Sequence, residues 1–231
     1  MKILSIDTSS KICGIAVLED KKLIKEILLD NGLTHSETLM PIIKNTLEDI
    51  NLSLNDMDLI VCDKGPGSFT GIRIGVATTK AFSDSLNIKA IGISSLEALA
   101  YNVKSEGVIC SLIDAKNDNV YVGVFENIDG KYILRRNLST ENISSLLEEF
   151  KDAQYYITFV GDGAITYKSQ ILETLPNSIF VKDNNLSAYN LGLAGLKHFE
   201  DNIFDDVLPL YLRKPQAERI LEMQQKEEAN S

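Results

Sequence analysis

Histidines and cysteines are few in this 231-residue chain, and the spacing of its acids narrows the chemical options further. Aspartates end two strand-like runs, Ile3-Leu4-Ser5-Ile6-Asp7 and Val108-Ile109-Cys110-Ser111-Leu112-Ile113-Asp114, and another acid lies between glycines in Gly161-Asp162-Gly163. An aspartate at a strand end is more often a turn or cap residue than a catalyst. The two histidines, His35 and His198, are far apart in sequence, so neither HExxH nor any other close pair is present to hold a metal. A metalloprotease is disfavoured on that count, and no Ser-His-Asp set supports a serine hydrolase. Cys13, Cys62 and Cys110 fall inside apolar runs and are odd in number, which suits buried, reduced thiols rather than disulfides.

The densest group of special residues is Lys64-Gly65-Pro66-Gly67-Ser68-Phe69-Thr70-Gly71-Ile72-Arg73-Ile74-Gly75. It follows the buried-strand signal Leu59-Ile60-Val61-Cys62 and leads into a helical pattern. Pro66 presets one central position of a turn and Gly67 supplies positive φ at the next, so Gly65-Pro66-Gly67-Ser68 reads as a type II turn. Ser68 or Thr70 can cap the helix. Free amides at that helix start would suit a phosphate or carboxylate, but a bare strand-to-helix turn needs the same residues, and the structural reading is preferred. A Walker A loop is excluded because Ile72 and Arg73, not Lys and Ser or Thr, follow Gly71. The dinucleotide fingerprint is a near miss, with Thr70 at its third glycine.

The elements that position these residues repeat. Runs at 2–7, 12–18 and 23–29 read as a meander. Thr34-His35-Ser36-Glu37 is a capping box opening a helix with Leu39, Ile43, Leu47 and Ile50 on its apolar face, bent or restarted at Pro41. A strand at 58–62, the glycine loop, a helix to about Leu86, a strand at 88–93 and a short helix from Ser94 or Ser95 follow. The order then begins again at 108, and nine residues beyond each strand-end aspartate, at Ala16 and at Gly123, a second strand is under way. Strands at 131–137, 155–160 and 178–182, with helices at 141–150 and up to about Thr174, complete the second set. We read an α/β chain made of two β-β-β-α-β-α-β units, residues 1–104 and 105–215, each with a mixed sheet. A helix at 187–200 could pack back on the first lobe, and 216–231 is a polar tail expected to fray.

On the helix after the loop, Gly71, Gly75 and Thr79 recur every four residues and leave a flat stripe, flanked by Ile72, Val76 and Phe82. Another helix could approach it closely, making a partner interface with His35 and Leu39 of the preceding helix. The alternative is that the stripe packs on the chain's own sheet.

Composition excludes some classes. A net charge of −10 without any run of Lys and Arg argues against strong nucleic-acid binding by the chain alone. No apolar run approaches the ~20 residues of a membrane span, and the first residues read as a strand rather than a signal peptide, so the expected location is the cytoplasm.

The duplicated unit, with an acid ending the first strand of each half, resembles the actin, Hsp70 and sugar-kinase superfamily, whose core is ribonuclease-H-like. That resemblance implies a cleft for ATP and its metal, with Asp7, Thr8 and Ser9 in one phosphate loop, Asp114 in the other, and Gly161 and Gly163 in an adenosine loop. More specifically, Ile3-Leu4-Ser5-Ile6-Asp7-Thr8-Ser9, His35-Ser36-Glu37, the whole stretch Gly65 to Gly75, Ser94-Ser95-Leu96-Glu97-Ala98-Leu99 and Tyr211-Leu212-Arg213 resemble the bacterial TsaB (YeaZ) family, which is glycoprotease-like. The match runs from the first strand to about Arg213. The family's implied role is a non-catalytic subunit in making threonylcarbamoyladenosine next to the anticodon of tRNA. Its implied partners are the catalytic paralogue TsaD, the ATPase TsaE and, alone, a second copy of itself. It meets tRNA only through the complex, and ATP or ADP with magnesium belongs to the complex. In the paralogue two metal-holding histidines follow the strand matching 88–93, and those places here resemble Ser95 and Leu99. The competing expectation is a nucleotide hydrolase or kinase that uses Asp7 and Asp114 with magnesium.

Overall fold

Two five-stranded sheets of identical strand order form the frame of the molecule. The computed structural model describes residues 1–204 and 206–213, so the expected tail at 216–231 lies outside the described residues. The first sheet comprises β1 (Lys2–Asp7), β2 (Cys13–Glu19), β3 (Lys22–Leu29), β4 (Leu59–Asp63) and β5 (Lys89–Ile93), in the order β3-β2-β1-β4-β5. The second comprises β6 (Gly107–Asp114), β7 (Asn119–Ile128), β8 (Lys131–Asn142), β9 (Ile157–Val160) and β10 (Ile179–Phe180), in the order β8-β7-β6-β9-β10 read from the same side. In each sheet the first strand is antiparallel to the second and parallel to the fourth. Asp7 and Asp114 therefore end equivalent central strands, and the duplication read from element order is present in the pairing itself.

Central strands are covered on both faces and are accordingly buried and mostly apolar, as β1 and β4 are up to the aspartates that end them. The edge strand β3 is largely exposed and carries Lys22, Lys25 and Glu26, which discourage pairing with another chain. On one face of the first sheet lie α1 (His35–Asp49) and α2 (Phe69–Leu86), whose Leu39, Ile43, Leu47 and Phe82 pack on Leu4, Ile6, Ile15, Val17 and Ile60. The opposite face, with Ile3, Ala16, Leu18, Leu59 and Val61, is covered by Ala188, Leu191 and Ala194 of α7 (Ala188–Glu200). The short α3 (Ser95–Ala100) gives Ala98 to that cluster and turns Leu96 and Leu99 toward Ile109, Phe125 and Val160 of the second sheet. The far face of the second sheet carries α4 (Ile143–Phe150), α5 (Asp162–Thr166) and α6 (Lys168–Thr174).

Local expectations change in four places. Helix α1 runs through Pro41 as one element, because its buried face of Leu39, Ile42, Ile43, Thr46 and Leu47 holds it across the missing amide. The expected single helix ending near Thr174 is two short ones hinged at Tyr167. Strand β8 extends to Asn142, five residues past the expected end, because β7 offers pairing partners all the way to Asn119. The loop at Gly65-Pro66 is not a type II turn: positive φ falls on Gly65 (101°) rather than Gly67, and the Gly65–Pro66 peptide is cis.

Candidate functional site

The site begins with a local rule: a helix start presents unpaired amides, and a polar side chain before it takes one. Ser68 is that residue for α2, its hydroxyl accepting from the Gly71 amide at 3.2 Å. Thr70, the other cap candidate, lies inside the helix and is exposed. The glycine stripe of α2 then receives the Thr8-Ser9-Ser10 hairpin. A Cβ on Gly67 would strike the Ser9 carbonyl, one on Gly71 the Thr8 carbonyl, and one on Gly75 the Thr8 hydroxyl. In place of those Cβ atoms run hydrogen bonds: the Ser68 amide donates to the Ser9 carbonyl at 2.6 Å and the Thr8 hydroxyl to the Gly71 carbonyl at 2.7 Å. His35, at the start of α1, closes the hairpin from the other side, with Nε2 2.8 Å from the Ser10 carbonyl.

The partner surface expected on this stripe is therefore turned inward in the folded chain. Gly71, Ile72, Gly75, Val76 and Thr79 are all buried, as is Leu39, and Phe82 is half-buried in the core. The physical reason is proximity: the hairpin and β4 lie within reach of the same face. The outward face of α2 instead carries Arg73, Ala77, Lys80, Ala81 and Asp84.

Closing the hairpin buries an acid pair. Asp7 and Asp63 are each 1% exposed. The Ser9 hydroxyl bridges them, 2.7 Å from Asp7 Oδ1 and 3.0 Å from Asp63 Oδ2. Asp63 also accepts from the Gly65 amide and the Ser95 hydroxyl, both at 2.7 Å, and Asp7 from the Ser9 amide at 2.8 Å. Burial raises Asp63 well above the usual carboxylate range, and the neighbouring Asp7 raises it further; burial also raises Asp7. Two desolvated carboxyls sharing one hydroxyl disfavour ionising both at once. Burial likewise pushes the nearby Cys62 thiol up to about 12, so it is inert at neutral pH.

Asp114 stands in a different setting. Its carboxylate is paired with Lys116 Nζ at 2.5 Å and accepts the Lys116 amide at 2.8 Å and the Tyr167 hydroxyl at 3.4 Å. Burial opposes ionisation there, but Lys116 outweighs it and Asp114 is lowered. Asp162 Oδ1 accepts the Asp114 amide at 3.0 Å and is itself raised by burial. Gly161 (φ 105°) and Gly163 sit directly on Leu112 at the end of β6, and the Gly161 amide donates to Asn184 Oδ1 at 3.0 Å. Among the described residues Asp7 and Asp114 share no hydrogen-bond partner, since Ser9 serves the first and Lys116 and Tyr167 the second.

A nucleotide phosphate at Asp7 would have to displace the hairpin from α2, because Asp7, Thr8 and Ser9 are all buried. As placed, Asp7, Thr8 and Ser9 do not fit that group. Among the described residues, no group of three or more His, Cys, Asp or Glu could hold a metal ion, and Ser95 and Leu99 are both buried in the core. Asp63 is the site residue that sequence reading missed. Its signal was available, since Leu59-Ile60-Val61-Cys62-Asp63 ends in an acid as β1 and β6 do.

Comparison with known proteins places this geometry. Residues 31–219 match the model of the family described as TsaD, tRNA N6-adenosine threonylcarbamoyltransferase. A protein of Bacillus subtilis named tRNA threonylcarbamoyladenosine biosynthesis protein TsaB is 33% identical over 224 residues, covering 94% of this chain and 96% of that one. The structure of YeaZ from Pseudomonas aeruginosa superposes with a TM-score of 0.75 at 22% identity, over 91% of this chain and 99% of its own. A ROK hexokinase from Thermus thermophilus shares the fold at a TM-score of 0.54 and 9% identity, over 87% and 100% of the two chains. Spanning nearly the whole of its Bacillus subtilis relative and built on two sheets of the same strand order, the chain belongs to the TsaB (YeaZ) family.

Proposed function

We propose that this chain serves the biosynthesis of threonylcarbamoyladenosine on tRNA as a non-catalytic subunit that binds a TsaD-like catalytic paralogue and a TsaE-like ATPase. The observation that carries the reading is the sealed acid pair: in a chain related to a named biosynthesis protein, the aspartate that would meet a nucleotide is buried with Asp63 under the hairpin. ATP or ADP with magnesium then belongs to the assembly rather than to this chain. For the competing hydrolase or kinase, Asp7 and Asp114 would have to act together, and among the described residues they have no hydrogen-bond partner in common.

The docking surface in this proposal is the outward face of α1 and α2: Leu33, just ahead of α1, and Met40 within it are 59% and 48% exposed, and Ala77 and Ala81 of α2 are exposed as well. In the absence of the paralogue, the same face joins two copies of the chain. The test is complementation of a strain lacking this protein, read as threonylcarbamoyladenosine in digested tRNA. Wild type, Asp7→Asn and Asp114→Asn restore the nucleoside, whereas Ala81→Arg does not and fails to co-purify with the paralogue. Loss of the nucleoside with folded Asp7→Asn or Asp114→Asn protein would favour the enzyme reading instead.

A further inference from the structure

Beyond α7 the chain does not leave the molecule but runs as an irregular strap, residues 206–213, over both lobes. On the first lobe Val207 is buried against Cys62, Ile72 and Val76, and the Leu210 amide donates to the Lys64 carbonyl at 2.7 Å. Tyr211 stacks on Phe69 at 4.7 Å between ring centroids, and its hydroxyl accepts from Arg73 Nε at 2.8 Å. The Arg73 guanidinium in turn lies 3.8 Å from the centroid of the Phe69 ring. On the second lobe the Leu212 carbonyl accepts from the Thr140 hydroxyl at 3.0 Å, and Arg213 donates to the Ala115 carbonyl at 2.5 Å.

Ala115 opens a turn in which Lys116, Asn117 and Asp118 all have positive φ, at 65°, 55° and 56°. Three left-handed residues in succession, none of them glycine, are held only where their surroundings over-determine them. Within the turn and from its neighbours the Lys116–Asp114 pair, the Ala115 amide on the Asn119 carbonyl at 2.9 Å, the Asn119 side-chain amide on the Asn117 carbonyl at 2.6 Å and the Ile143 amide on the Asp118 carbonyl at 2.8 Å hold it, and from the strap Arg213 does. The strap is thus stapled by aromatic stacking at the start of α2 and ends on the strained turn beside Asp114.

We infer that the strap mechanically couples the start of α2 to the Ala115–Asn119 turn, with the Arg73–Phe69–Tyr211 stack setting its register. Release of Tyr211 from Arg73 slackens Leu212 and Arg213 and so loosens a turn that Arg73 does not touch. A change at the exposed start of α2 is thereby felt in the second lobe.

Amide hydrogen exchange on the full chain tests this, comparing wild type with Arg73→Ala, Tyr211→Ala and Arg213→Ala. The amides of Ala115, Lys116 and Asn119 exchange on the order of tenfold faster in all three variants, while β1 and β4 keep their protection. Arg73 is exposed, so its variant folds even if the others do not. Two results overturn the coupling: Leu210 and Leu212 exchanging faster in Arg73→Ala with the turn unchanged, or neither strap nor turn responding to Arg73→Ala.

Discussion

Replacement of Gly71 by alanine isolates what the glycine stripe does. In an ordinary exposed helix the change stabilises by about 1 kcal/mol, because alanine is the better helix former. Here a Cβ built on Gly71 sits 1.9 Å from the Thr8 carbonyl oxygen, against 3.4–4 Å for ordinary contact. The Thr8-Ser9 backbone must retreat by roughly 1.5 Å, an overpacking that costs about 1–3 kcal/mol. The retreat also strains the Thr8–Gly71 and Ser68–Ser9 hydrogen bonds, each contributing about 1 kcal/mol net. Set against the propensity gain, the variant loses about 2–4 kcal/mol, or roughly 5–15 °C in melting temperature for a chain of this size. Gly32→Ala is the control: its φ is +72° with nothing within 4 Å, so only the backbone term of about 1–2 kcal/mol remains. Thermal unfolding followed by circular dichroism compares the two. A Gly71→Ala protein as stable as wild type would mean that the hairpin does not rest on α2.

Three further outcomes follow from the same geometry. Because Asp63 is raised well above its unfolded value, its contribution is fully present below about pH 4 and is lost as pH rises through the folded pKa. Asp63→Asn, which cannot ionise, therefore gains on wild type as pH rises from about 4; a stability difference that stays flat with pH in denaturant titrations would refute the raised acidity constant of Asp63. Val76→Arg places a charge at a position 5% exposed against Cys62, Ile72 and Val207, and costs about 3–5 kcal/mol or more; Ala81→Arg on the outer face of the same helix leaves the melt within about 0.5 kcal/mol of wild type. The isolated chain, with a net charge of −10, is not retained on tRNA at physiological salt, and submicromolar binding in a filter assay would refute that expectation.

The frame was legible because the signals were local. Apolar runs, Ser68 and the Thr34 capping box placed strands and helices near their observed positions, and two strand-end acids exposed the duplication. The site was legible only in part, since what a flat face packs against is a question of distance in space. The Gly71-Gly75-Thr79 stripe fits a partner helix and a neighbouring hairpin equally well in sequence, and the fold gives it to Thr8 and Ser9. The same limit hid Asp63, whose role depends on Ser95, 32 residues away, and on Ser9, 54 residues away. Nor could Phe69, Arg73 and Tyr211 be seen as one cluster, with the tyrosine 138 positions beyond the arginine it meets.

The placement of α7 has a consequence for how the protein is made. All five strands of the first sheet have been translated by Ile93, yet the helix that covers Ile3, Ala16, Leu18, Leu59 and Val61 begins at Ala188. At roughly 5–20 residues per second, a ribosome takes on the order of 5–20 s to cross that interval. For that time a sheet face of aliphatic side chains is open to the solvent and to whatever binds nascent chains. Ser5 marks the end of the wait, its hydroxyl meeting the Ala188 carbonyl at 2.5 Å once the helix arrives. A chain released before residue 188 would carry this apolar sheet face bare, so premature termination in the second lobe should yield an aggregating fragment rather than a free first lobe.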